Sequence, residues 1–147
     1  MSRPNSRLIV GENHRRAIAA ALSVLDETLC RFQRWALGEE TDSVLFRERN
    51  DLSHHQRQSI LEEVKAVRQV LETVRDDFGL EPRRAEVSCA ILAQASVIWE
   101  TLVELGSKHI RRYGDISPDL ARYVDDKTKV LIEHVERMVD IAGTMRE

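Results

Sequence analysis

The chain has 147 residues, 42% of them hydrophobic, 32% charged and 5% aromatic, a length for which one domain with one core is the ordinary expectation. Its 22 Lys+Arg against 25 Asp+Glu leave a formal charge of −3, which excludes nucleic-acid binding by bulk charge though not by a local basic patch. A mean hydropathy of −0.37 and a longest uncharged stretch of only Val87 to Trp99 argue against a membrane span.

Residues 1–12 read as a flexible N-terminal segment and 13–147 as a single helical domain. The start, Met1 to Arg7, is positively charged, but Leu8-Ile9-Val10 is too short for the apolar core of a signal peptide, so the expected compartment is the cytoplasm. Asn13 can cap a first helix whose apolar positions, Ile18, Ala21, Leu22, Leu25, Leu29, Phe32, Trp35 and Ala36, recur at steps of three and four, with Gly38 as its stop.

The connection from Glu39 to Leu52 is long for a helical bundle. Its apolar triplet Val44-Leu45-Phe46 is expected to fold back as a plug over the bundle end. Ser53 and Gln56 form a capping box for a second helix, whose stripe Ile60, Val64, Val67, Leu71, Val74, Phe78 keeps a strict heptad until Gly79.

Pro82 opens the third helix, which the pattern carries as one rod from about Arg83 to Tyr113. From Val87 to Val103 its only formal charge is Glu100. A helix that is apolar on several faces has to be covered on several faces. Ser117-Pro118 caps the last segment, expected as a short helix over 118–123 and a longer one from Asp125 to about Gly143, with the stripe running on to Met145. Cys30 and Cys89 lie in separate apolar stretches without metal-ligand spacing and read as small buried thiols.

The fold this implies is all-α, a four-helix up-and-down bundle with a long first inter-helix loop. That order would gather at one pole Trp35, Arg47, Arg49, His54, His55, Lys108, His109, Arg111, Arg112 and Tyr113, together with acidic neighbours. Helix N-termini there favour anions.

The function expected is a non-enzymatic interaction module that forms a homodimer or docks a partner helix through Ala93, Val97 and Val103. An alternative comes from Arg49-Asn50-Asp51-Leu52-Ser53-His54, which resembles the short motif of HEPN-domain ribonucleases, small all-α proteins. The resemblance implies RNA as the partner, a homodimeric cleft, His54 as acid–base and Arg49 as the phosphate-charge stabiliser. Neither a cofactor nor a metal is expected. The chain has no Glu-x-x-His pair, HExxH or glycine-rich phosphate loop, and adjacent His54 and His55 diverge by ~100° on a helix.

Overall fold

The computed structural model describes residues 10–144, which are helical apart from their connections. The helices are α1 (Glu12–Ala36), α2 (His54–Phe78), α3 (Val87–Glu104), α4 (Ser107–Ile110) and α5 (Pro118–Gly143), with a single 3-10 turn over Arg111–Tyr113 after α4. The chain divides into two compact units, Met1–Arg83 and Arg84–Glu147. Each is a helical hairpin: α1 packs on α2 in the first, and α3 packs on α5 in the second. Of the expected N-terminal segment, residues 1–9 lie outside the described residues, as does Met145 at the other end.

In the first unit, contacts between the helices run in opposite directions along the chain. Gly38 lies against Arg57, Gln33 meets Arg68 and Glu27 meets Arg83, so the pair is antiparallel. α1 starts at Glu12 with Gly11 as its N-cap, and no side chain caps it. The expected Asn13 cap is therefore displaced into the first turn. α2 starts as its residues dictate: Ser53 Oγ accepts the Gln56 N–H at 3.1 Å and Gln56 Oε1 accepts the Ser53 N–H at 2.8 Å. It ends at Gly79, whose φ of 64° only glycine adopts without strain.

The second unit departs from the expected single rod. Residues 80–86 are irregular: Pro82 disfavours helical backbone at Glu81, and Glu86 is extended at φ −81° and ψ 125°. α3 therefore begins at Val87 and stops at Glu104; Gly106 is extended, and a new turn begins at Ser107. Asp125 holds that break together. Its carboxylate accepts the Ser107 N–H at 2.7 Å and the Ser107 hydroxyl at 2.6 Å, serving α4 as a cap supplied from another helix. The residue expected to open a fresh helix at 125 is thus spent on α4, and α5 runs unbroken from Pro118, with Ser117 Oγ accepting the Leu120 N–H at 3.1 Å. Lys127, which falls on the apolar stripe, lies with its ammonium 5.6 Å from the Tyr123 ring.

Candidate interaction surfaces

Each hairpin buries one line of side chains and little else. Among the described residues, Leu29, Ala36 and Val64 in the first unit and Thr128 in the second are the buried ones. They mark seams that recur every seven positions: Leu22, Leu29 and Ala36 on α1, and Val64, Leu71 and Phe78 on α2. The second unit repeats this with Ser88, Ala95 and Leu102 on α3, and Thr128, Val135 and Ala142 on α5.

Four residues before the seam, every helix carries a second apolar line. On α1 it is Ile18, Leu25 and Phe32; on α2, Ile60, Val67 and Val74; on α3, Ile91 and Ile98; on α5, Val124, Leu131 and Met138. A step of four is ~400° of helix and so offsets a residue ~40° from a full turn. In two antiparallel helices the same offset from the seam falls on the same side of the pair. Each hairpin therefore presents a single apolar face built from both its helices. Leu25, Phe32, Ile91, Ile98, Leu131 and Met138 on these faces are exposed, while Ile18, Ile60, Val67, Val74 and Val124 are half-buried. Phe32 and Trp35 stack there, with ring centroids 6.1 Å apart.

The opposite side of the first unit is charged. In the first unit Arg68 binds Gln33 at 2.5 Å, Asp26 at 3.9 Å and the Cys30 sulfur at 3.8 Å. Cys30 and Cys89 are both exposed, not buried as their apolar neighbourhoods suggest. Cys30 directly follows buried Leu29 on α1 and faces this charged side.

α3 has a third apolar side. Ala90, Ala93 and Val97 each lie two residues, ~200° around the helix, from a seam position; all three are exposed, Val97 by 63%. Of the expected interface residues, Ala93 and Val97 share this outer side. Val103 does not: it is half-buried and directly follows Leu102 on the seam. By length and composition alone α3 matches a membrane span, with a mean hydropathy of 1.3. Its seam partner α5, however, carries Arg122, Asp125, Asp126, Lys129, Glu133, Glu136, Arg137 and Asp140, which hydrocarbon would have to desolvate.

The long loop is a built element. Thr41 and Glu48, Asp42 and Arg47, and Ser43 and Phe46 face each other in a miniature hairpin, and Arg47 pairs with Asp42 at 2.8 Å. Glu48 anchors it, accepting the Trp35 indole N–H at 2.6 Å and the Thr41 N–H at 2.9 Å, with Arg34 at 3.5 Å. The hydrogen bonds from Thr41, then those of Trp35 and the Arg34 charge, hold the Glu48 carboxyl below its ordinary range against a smaller desolvation effect. At the tip, Val44, Leu45 and Phe46 are 90%, 99% and 61% exposed. The expectation of an apolar plug is overturned: the tip turns outward.

Arg49 and His54 are both exposed. Asn50 between them is committed to the loop. Its side-chain nitrogen donates to Trp35 O at 2.7 Å and Glu39 O at 3.0 Å, and its N–H donates to Glu40 Oε2 at 2.8 Å. His54 and His55 open α2 beside the Ser53 cap. The basic and histidine-bearing segment Lys108–Tyr113 belongs to the second unit, where α4 and the 3-10 turn carry it. Among the described residues no group of three or more His, Cys, Asp or Glu is placed to hold a metal ion. No known family, curated protein or solved structure matches the chain.

Proposed function

We propose that this chain is a non-enzymatic helical interaction module that self-associates through the outer side of α3 around Ala93 and Val97. The observation that carries the reading is the set of apolar sides on α3. One lies in the seam with α5, a second carries Ile91 and Ile98, and a third carries Ala90, Ala93 and Val97.

Pairing the apolar faces of the two hairpins would complete the expected four-helix up-and-down bundle and cover Ile91 and Ile98. It would leave the third side of α3 in water, and a second copy of the chain is the cover we assign to it. Small residues at Ala90 and Ala93 let two helices approach closely, with Val97 as the larger contact.

Light scattering on the full chain tests this. Val97→Asp places a charge at the centre of the proposed contact and is expected to shift the protein to the single-chain mass. Ser96→Asp, one residue away and ~100° around the helix, is expected to leave the mass unchanged. Equal masses for both variants and the wild type would overturn the proposal.

A further inference from the structure

The α3–α5 hairpin carries a groove on the side away from its apolar face. It is an open cavity of about 440 Å³ with a floor of Ala95, Trp99, Val135 and Val139 and a rim formed by Ser96, Glu100, Glu136 and Asp140. The three rim carboxylates have no ion-pair partner among the described residues. The corresponding groove of the first unit differs. It is lined by Lys65, Arg68 and Glu72, and its arginine is already engaged by Gln33 and Asp26.

Three like charges around an apolar floor with a 43% exposed Trp99 select a ligand that is cationic and apolar at once. Glu136 and Asp140 are one helical turn apart on α5, and Ser96 and Glu100 are one turn apart on α3, so the rim repeats at the pitch of a helix. One heptad before Glu136 the same line carries Lys129, which confines the acidic stretch to the C-terminal half of α5.

We propose that this groove binds a cationic amphipathic helix of a partner protein. Its aliphatic side chains would lie on Trp99 and Val139, and its Lys or Arg side chains would meet Glu100, Glu136 and Asp140. The surface is separate from the one proposed for self-association, so either can fail without the other.

The test titrates the full-length chain into a fluorescently labelled helical peptide of about five turns built from Leu and Lys, and into the same peptide with Glu in place of Lys. Anisotropy is expected to show saturable binding of the Lys peptide only. The combined Glu100→Gln, Glu136→Gln, Asp140→Asn variant is expected to weaken it by at least about tenfold, as is Trp99→Ala. A charge-matched control, Glu62→Gln, Glu63→Gln, Asp76→Asn, and the separate Val97→Asp variant are expected to bind as the wild type does. Circular dichroism on each variant separates lost binding from lost helix. No binding of the Lys peptide, equal binding of the Glu peptide, or equal weakening by the charge-matched control would overturn the proposal.

Discussion

Glu48 accepts the indole N–H of Trp35 at 2.6 Å, tying the last turn of α1 to the far arm of the loop that follows it. The same carboxylate takes the Thr41 N–H, so one ionised group closes both the base of the loop and its junction with the helix. With its pKa held below the ordinary carboxylate value of 4.5, the stabilisation from Glu48 is fully present above that value. It is lost as pH falls through the lowered folded-state pKa. Amide exchange at Thr41 and Trp35 fluorescence are expected to report loosening of the loop as pH drops below about 4.5. Glu48→Gln is expected to remove that pH dependence and to leave the loop loosened at neutral pH. Retention of the wild-type pH profile by Glu48→Gln would contradict this role.

Gly38 sits at φ 90°, a conformation that side-chain-bearing residues rarely adopt, and a Cβ there would lie 2.5 Å from Arg57 Nη1. Gly38→Ala is expected to cost about 1–3 kcal/mol in denaturant unfolding. Adding Arg57→Ala removes the close contact but not the backbone strain, so it is expected to recover only part of the loss. Full recovery in the double variant would show that the contact alone matters.

Asn50 donates three hydrogen bonds, to Trp35 O on α1 and to Glu39 O and Glu40 in the loop, and accepts one from the Leu52 N–H; only the one from its backbone N–H survives truncation. Asn50→Ala is expected to destabilise the first unit by about 1–3 kcal/mol, read by chemical denaturation. Arg49→Ala and His54→Ala, at exposed positions, are expected to change stability by less than about 0.5 kcal/mol. The resemblance to HEPN ribonucleases makes a separate demand on these variants. An RNA-cleaving activity in the wild type that His54→Ala abolishes would favour the nuclease reading over the interaction module.

The helix boundaries legible in the sequence are those fixed by neighbours in the chain. The Ser53–Gln56 box, the Gly79 stop and Ser117-Pro118 all act within a few residues, and all stand where local chemistry puts them. The break at Gly106 is not legible, because the group that stabilises it, Asp125, lies 18 residues beyond Ser107. The loop escapes for the same reason: Glu48 and Trp35 are 13 residues apart, and Asn50 and Trp35 are 15 apart. An apolar triplet such as Val44-Leu45-Phe46 reads identically whether it turns in or out. Cys30 reads as buried from its apolar neighbours, although its position directly after seam residue Leu29 turns it toward Arg68. The excess apolar surface of α3 is legible because it is a property of composition around one helix. That Val103 lies beside the seam and not with Ala93 and Val97 is not legible, because it needs the seam register, which only the position of α5 supplies.

The most direct measurement is the solution mass of the wild-type chain as a function of concentration. Apolar sides of α3 that need a second copy predict a mass of at least twice the 16.9 kDa chain, falling to one chain on dilution and at every concentration for Val97→Asp. A mass of 16.9 kDa for the wild type across the whole range, with Val97 accessible to solvent, would contradict the account.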